Sequence, residues 1–155
     1  MEVFFCGEKQ HQVDDKNRIR IPSCFKDSLG SSYYFGKGTI PNTIEILPKS
    51  TLDKRLAFLA SKLNGEFYDP KKQKLLTRFS ANFTLMSEET QGRVVIPEDL
   101  KKYANISREV VTLGSIDHLV LMSAESRDQE KEEASYSDTL KEIQSIIDSN
   151  NEENV

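Results

Sequence analysis

The sequence reads Asp14-Asp15-Lys16-Asn17-Arg18-Ile19-Arg20-Ile21-Pro22 near its start and Glu89-Thr90-Gln91-Gly92-Arg93-Val94-Val95-Ile96-Pro97 about 75 residues later. In both stretches an acidic residue, a turn residue, an arginine, alternating apolar residues and a proline follow in the same order. Beyond the prolines, Thr43-Ile44-Glu45-Ile46-Leu47 aligns with His118-Leu119-Val120-Leu121-Met122 at the same offset. A repeat of this length indicates two copies of one small β-rich unit.

Arginine and apolar residues alternate after each turn with the period of two that is typical of a half-buried β-strand. In the first copy the two isoleucines face one side of the strand, and Arg18 and Arg20 project from the other. In the second copy Arg93 keeps the outward position, but Val95 replaces the second arginine. The two copies are therefore predicted to share a fold and to differ in positive charge.

Turn residues and prolines mark the ends of these strands. Asn17 and Gly92 occupy equivalent positions, and both residue types tolerate a positive φ angle. Each proline after a strand sits where a short helix can begin, with the proline in its first turn. The predicted helices are Ser23 to Leu29, Thr51 to Leu63 before a break at Asn64-Gly65, one that starts at Asp69 and has Leu75 on an apolar side, Glu98 to Tyr103, and an acidic one after Met122. The other predicted strands are Lys9 to Val13, Tyr33 to Gly36, Thr43 to Leu47, Phe83 to Ser87, Glu109 to Leu113 and His118 to Met122.

The 155 residues carry a formal net charge of -4, but this charge is unevenly distributed. From Glu125 onward there are ten acidic and three basic residues, whereas the first 124 residues hold eighteen basic and fifteen acidic ones. A basic body with an acidic tail is compatible with nucleic-acid binding by the body. Because no apolar run approaches the roughly 20 residues that cross a bilayer and the start does not fit a signal peptide, we expect a cytoplasmic protein.

The sequence offers little for catalysis or metal binding. Cys6 and Cys24 are too far apart for a Cys-x-x-Cys motif, and His11 and His118 share no metal-ligand spacing with them. The sequence has no visible Ser/His/Asp or Cys/His arrangement and no glycine-rich phosphate loop. We therefore predict no enzyme activity, no metal and no cofactor.

The doubled turn-Arg-apolar-x-apolar-Pro pattern resembles the MraZ family, whose members carry two AbrB-like swapped-hairpin β units. The segment from His11 to Pro22 is similar to that family's first motif, His-x-hydrophobic-Asp-x-Lys-Gly-Arg-hydrophobic-x-hydrophobic-Pro. The segment from Gln91 to Pro97 is similar to the second copy, and the resemblance covers roughly Phe5 to Met122. Asn17 and Glu89 depart from the family's usual glycine and aspartate, but asparagine can keep the bend and glutamate the charge.

The resemblance implies a mainly β fold, in which two tandem swapped-hairpin units form a β-barrel with peripheral helices. From the resemblance and the composition we predict a first AbrB-like DNA-binding unit at 5–50, a helical connector at 51–79, a second such unit at 80–124, and an acidic helical tail at 125–155 whose end is disordered.

The resemblance also implies a cytoplasmic, nucleoid-associated transcriptional regulator that binds repeated DNA boxes upstream of the division and cell-wall gene cluster and forms a ring-shaped homo-oligomer. Arginine can bond guanine O6 and N7 in a bidentate fashion, and lysine is a natural phosphate partner. The predicted DNA-binding residues are Lys16, Asn17, Arg18, Arg20, Gln91, Gly92 and Arg93. Asp14 and Glu89 are predicted to position the arginines, because a carboxylate near phosphate is repelled.

Two other interpretations remain open at this stage. Arg18 can pair with Asp14, and Arg93 with Glu89, as structural ion pairs at a hairpin. The same fold can also form an oligomeric protein-binding assembly that does not bind specific DNA. A single-repeat AbrB-like antitoxin is disfavoured, because such proteins need two chains to make one barrel and this chain carries both copies.

Overall fold

The computed structural model describes residues 3–63 and 69–153. Eight β-strands and six α-helices lie within these ranges. The strands are β1 Glu8–Gln12, β2 Arg18–Arg20, β3 Tyr33–Lys37, β4 Ile44–Pro48, β5 Thr84–Leu85, β6 Arg93–Val95, β7 Glu109–Gly114 and β8 Leu119–Ser123. The helices are α1 Ser23–Leu29, α2 Lys49–Lys62, α3 Pro70–Ala81, α4 Glu98–Tyr103, α5 Ala124–Glu133 and α6 Tyr136–Glu153. The chain divides into two compact units, Met1–Ala124 and Glu125–Val155.

In the first unit the two sequence copies exchange strands. Six strands form an antiparallel sheet in the order β1-β7-β8-β4-β3-β5, and β2 pairs with β6 in a separate two-stranded ribbon. β1 of the first copy pairs with β7 of the second, and β5 of the second copy pairs with β3 of the first. By the repeat offset, β1, β3 and β4 of the first copy are equivalent to β5, β7 and β8 of the second. Exchanging each strand with its equivalent reverses the order of the sheet, so an approximate twofold axis relates the two copies.

The axis passes through the two places where equivalent strands meet. Ile19 lies opposite Val94 in the ribbon, and Glu45 lies opposite Val120 where β4 pairs with β8. Both pairs join positions that the sequence repeat makes equivalent. The repeat is therefore a structural one, and neither copy completes its sheet without the other.

The predicted β-barrel is not found among the described residues. β1 and β5 stand at the two ends of the sheet order, and the ribbon is a separate sheet. Thr84–Leu85 is only two residues long, although the sequence predicted a strand from Phe83 to Ser87. Such a short edge strand offers little backbone for closing a sheet. The six helices also contain more residues than the eight strands, so the fold is mixed α/β with an open antiparallel sheet, not clearly mainly β.

One hydrophobic core joins both copies. It includes Ile19 and Val94 from the ribbon, Phe25 from α1 and Leu100 from α4, each at most 4% exposed. The bounds of α1 and α4 match the prediction, but their prolines occupy the N-cap position instead of the first helical turn. These two short helices therefore cover equivalent parts of the core.

The helices between the copies differ in part from the prediction. α2 begins at Lys49, earlier than predicted, and the predicted break at Asn64-Gly65 lies outside the described residues. Asp69 caps α3 by accepting a hydrogen bond from the Lys71 backbone N–H at 3.0 Å. α3 buries none of its residues, and Leu75 on its predicted apolar side is 52% exposed.

The second unit begins at Glu125, so it contains α6 and every residue of α5 except Ala124. Neither helix has a fully buried residue. Across the ranges the structure describes, no helix is long and apolar enough to cross a membrane.

The ribbon pair tests whether the junction of the two copies stabilises the fold. Ile19→Ala should lower the free energy of unfolding by about 3 kcal/mol, because it leaves a cavity where the copies meet. Val95→Ala is the control in the same ribbon, since Val95 is 41% exposed, and should cost less than about 1 kcal/mol. Urea unfolding measures both values, and equal costs would contradict a buried junction.

Candidate nucleic-acid interface

The doubled motifs meet in the two-stranded ribbon. Arg18 lies opposite Val95, and Arg20 lies opposite Arg93. The central residue of each strand is at most 1% exposed. Because neighbouring side chains alternate across a strand, the three arginines lie on the face turned away from the core. The strand exchange thus brings the two sequence-predicted arginine motifs side by side.

The turns before the two strands have related backbones. Asn17 and Gly92 adopt φ angles of 60° and 72°, which confirms the predicted bend at both positions. The N–H of Asp14 donates to the Arg18 carbonyl at 2.9 Å, and the N–H of Glu89 donates to the Arg93 carbonyl at 2.5 Å. The equivalent bonds close both loops.

One loop nevertheless differs at a residue whose backbone the sequence did not single out. Gln91 also has a positive φ, 65°, so the second turn has two consecutive residues in the left-handed region. Gln91 stands where the first copy has Lys16, whose side chain is exposed. The second loop therefore differs from the first in both backbone and charge.

Asp14 organises the arginine face. Its Oδ1 accepts backbone N–H bonds from Lys16 and Arg18, both at 2.9 Å. Its Oδ2 accepts the Arg18 Nε–H at 2.8 Å and a bond from the Arg93 guanidinium at 3.3 Å. A single carboxylate of the first copy therefore contacts the outward arginines of both copies.

These bonds also shift the protonation of the carboxylate. Desolvation acts to raise the pKa of Asp14, but the backbone N–H of Arg18, its guanidinium and the backbone N–H of Lys16 together outweigh it. The pKa of Asp14 is therefore held below its ordinary value. The ionised form is the one that the loop stabilises.

The ion pairs cross between the copies. The pair that the sequence allowed between Arg18 and Asp14 is present, but Arg93 contacts Asp14 instead of its own copy's Glu89. Glu89 lies 3.9 Å from Arg18. Both acidic residues therefore contact an arginine of the other copy, a consequence of the strand exchange that the sequence motif did not predict.

Sequence reasoning also missed Lys101, which holds the first loop from the second copy. Its Nζ donates to Asn17 Oδ1 at 2.5 Å, and the Ile96 backbone N–H donates to the Asn17 carbonyl at 2.8 Å. Lys101 looks like an ordinary surface lysine of a short helix in the sequence. Only the repeat offset gives a hint, since Lys101 is equivalent to Lys26.

Lys26 makes a related contact below the second loop. It forms an ion pair with Glu88, which also accepts a hydrogen bond from the Tyr33 hydroxyl at 2.8 Å. Desolvation acts to raise the pKa of Glu88, but Lys26 and Tyr33 outweigh it and hold this pKa below its ordinary value. Burial, followed by the bond to Glu88, raises the pKa of Tyr33. The tyrosine therefore stays a neutral donor to an ionised glutamate.

The ribbon and its loops are not strongly basic. The same number of bases and acids stands on them, namely Lys16, Arg18, Arg20 and Arg93 against Asp14, Asp15, Glu88 and Glu89. The basic excess of the first unit lies on α2 and α3, whose sequences contain eight basic residues and one acid. An anionic partner of this ribbon would therefore be held by placed hydrogen bonds more than by net charge.

The fold and site define a duplicated, strand-exchanged β-ribbon protein with arginines on its exposed ribbon face. A family model described as "MraZ protein, putative antitoxin-like" matches residues 87–145, which include the second motif. A Clostridium tetani protein named Transcriptional regulator MraZ is 36% identical over 122 residues, which are 78% of this chain and 82% of that protein. The chain belongs to the MraZ family, as the resemblance of its motifs predicted.

Two further relatives carry the same name, Transcriptional regulator MraZ. The one from Mycolicibacterium smegmatis is 27% identical over 147 residues, covering 90% of this chain and 99% of its own length. The one from Leuconostoc mesenteroides is 31% identical over 123 residues, covering 79% of this chain and 82% of its own length. The similarity therefore extends well beyond the two short motifs.

The charge of Asp14 should stabilise the fold in a pH-dependent way. Asp14→Asn keeps the size of the side chain but removes the charge that faces Arg18 and Arg93, so the variant should be less stable at neutral pH. Because the folded-state pKa of Asp14 is lowered, this difference is fully present above the unfolded value of about 4 and shrinks as the pH falls below it.

Urea unfolding of the wild type and Asp14→Asn between neutral pH and about pH 3 measures this difference. Asp15→Asn is the matched control, because Asp15 is the exposed neighbour, and it should follow the wild type within about 0.5 kcal/mol. A difference between wild type and Asp14→Asn that is independent of pH would contradict the role of the ionised carboxylate.

Proposed function

We propose that this chain is a sequence-specific DNA-binding transcription regulator that contacts DNA through the outer face of its ribbon. The observation that carries the proposal is the placement of Arg18, Arg20 and Arg93 on one face of an antiparallel pair whose other face is buried. A two-stranded ribbon is one of the elements that fit the DNA major groove. The names of its relatives support the same class of function.

Each residue of the face has a role that suits its chemistry. Arg18 and Arg93 contact bases or phosphates, since a guanidinium matches both guanine O6/N7 and phosphate oxygens. Lys16 and Arg20 contact phosphates. Asn17, Gln91 and Gly92 shape the loops, and Asp14 and Glu89 position the arginines instead of meeting the DNA.

The contacts of Asp14 favour this division of roles over a purely structural pairing. A carboxylate that holds Arg18 through Nε leaves the terminal nitrogens of the guanidinium as further donors. One of these, Nη1, lies only at the limit of an ion pair with Glu89, at 3.9 Å. The aspartate therefore fixes the direction of the arginine without using up its hydrogen-bonding fork.

The finer features of the proposal concern assembly and target. One ribbon offers few contacts and binds weakly, so several ribbons on one oligomer would gain affinity through effective concentration. We propose that the chain carries two AbrB-like swapped-hairpin units and forms a ring-shaped homo-oligomer. This oligomer associates with the nucleoid in the cytoplasm. Its targets are repeated boxes upstream of the division and cell-wall gene cluster.

Removing one arginine tests the proposed face. Arg18→Ala should weaken binding to a single box by about tenfold or more, since a good bidentate contact contributes about 1–3 kcal/mol. Fluorescence anisotropy of labelled DNA from upstream of the protein's own gene, against random DNA of equal length and at several salt concentrations, measures the effect. Wild-type affinity should fall with rising salt, because neutralised phosphates release counterions.

Arg78→Ala is the matched control, because it removes the same charge from α3, which is not part of the ribbon. It should bind a single box like the wild type. Loss of binding by Arg78→Ala but not by Arg18→Ala would move the DNA surface to the basic helices. No preference over random DNA would support an oligomeric protein-binding assembly instead.

The number of boxes tests the gain from assembly. DNA with tandem boxes at helical-turn spacing should bind at least about a hundredfold more tightly than one box, because later contacts form within one complex. Tandem boxes shifted by half a helical turn are the control, since they face opposite sides of the duplex. Equal affinity for one and several boxes would count against a multivalent regulator.

A further inference from the structure

Helix α6 carries an apolar stripe that the single chain leaves exposed. Tyr136, Leu140, Ile143 and Ile147 follow one another at steps of four, three and four residues, which places them on one face. Ile146 lies beside them, and all five side chains are between 46% and 77% exposed. Most of the stability of a helix in a protein comes from packing of its amphipathic face, so this face gains much from a partner.

A groove on the first unit also exposes apolar side chains. Phe58 and Leu59 of α2 and Phe79 of α3 line it, and Phe58 is 59% exposed. The Lys62 ammonium lies 5.7 Å from the centre of the Phe58 ring, so a cation stands at the edge of the apolar surface. We call this surface the α2/α3 groove.

The charges of the two surfaces are opposite. α6 contains five acidic residues and one basic residue. α2 and α3 together contain eight basic residues and one acidic residue, and Lys54 and Arg55 of α2 line the groove itself. An acidic amphipathic helix and a basic apolar groove are complementary in both polarity and charge.

We propose that α6 of one chain docks its apolar stripe in the α2/α3 groove of a second copy of this chain. Each surface exposes apolar side chains, and a second copy of this chain presents the complement of each. DNA is the weaker candidate for the groove, because phosphates require cations but gain nothing from exposed phenylalanine and leucine.

The contact has a consequence for assembly. Two different surfaces meet, so the interface is heterologous, and repeating it gives a closed ring or an open chain according to the rotation between subunits. The inference deepens the oligomeric part of the proposed function, since it names the surfaces that join the subunits. It places this contact on helices outside the arginine ribbon, so the two proposals can be tested separately.

Sedimentation velocity of the full chain over a range of concentrations tests the contact. The wild type should form oligomers, and Ile143→Asp/Ile147→Asp should remain monomeric, because two charges would enter the apolar contact. Ser145→Asp/Ser149→Asp adds the same charge to α6 away from the stripe and should retain the wild-type size. Circular dichroism establishes that each variant keeps its helices.

Substitution in the α2/α3 groove tests the same contact. Phe58→Ser should leave the chain monomeric, because it removes an apolar side chain that lines the groove. Phe4→Ser, at a residue that is 64% exposed near the start of the chain, is the control and should leave the size unchanged. Thermal unfolding curves show whether Phe58→Ser remains folded.

Mixing the two kinds of variant separates this contact from pairing between two α6 helices. Ile143→Asp/Ile147→Asp keeps a normal groove, and Phe58→Ser keeps a normal α6. An equimolar mixture should form a one-to-one dimer, although neither variant associates alone. Full-size oligomers of Phe58→Ser, or failure of the mixture to associate, would overturn the proposal, as would a wild type that stays monomeric at every concentration.

Binding to a single DNA box distinguishes a failure of the docking proposal from a failure of the proposed DNA-binding face. If α6 and groove variants become monomeric but bind one box like the wild type, the docking contact holds independently of DNA recognition. If Arg18→Ala and the wild type bind DNA equally while the oligomer depends on α6 and the groove, only the proposed DNA face is wrong.

Discussion

The exchange of strands between the two copies is the constraint on which the rest of the structure depends. Every sheet pairing of β1 and β5 joins one copy to the other, and the ribbon has one strand from each. Hydrogen-bonded edges and apolar faces of one copy are therefore completed only by the second. The pair Ile19 and Val94 stands at the centre, because the same buried contact orders both motifs and turns their arginines outward.

The exchange also explains why the electrostatics of the ribbon cannot be divided between the copies. Asp14 contacts Arg93, Glu89 lies near Arg18, and Lys101 holds Asn17, so these three contacts all cross from one copy to the other. A change in one loop therefore alters the contacts of the other, because both arginines bind the Asp14 carboxylate. The copies have diverged in charge, yet their arginine positions remain coupled.

The sequence predicted local elements better than long-range ones. α1 and α4 were predicted to the residue, because prolines mark their starts and the chain bends just after them. The loop between β3 and β4 is two residues longer than the loop between β7 and β8. β4 and β8 nevertheless keep the repeat offset, because the connection before β3 is shorter than the connection before β7. The open sheet and the Asp14–Arg93 contact depend on pairing between residues far apart in the sequence, which no local pattern encodes.

The distribution of charge links the proposed recognition and assembly. Acids balance bases on the ribbon, so the proposed recognition by one ribbon would gain little from long-range attraction and would rely on the placement of its arginines. The unbalanced cations lie on α2 and α3, where they would attract any nucleic acid without regard to sequence. An acidic α6 from a neighbouring chain, docked on these helices, would neutralise that attraction and at the same time add a ribbon to the assembly. Affinity would then come from several arginine faces acting together, and the ratio of specific to non-specific binding would rise with each added subunit.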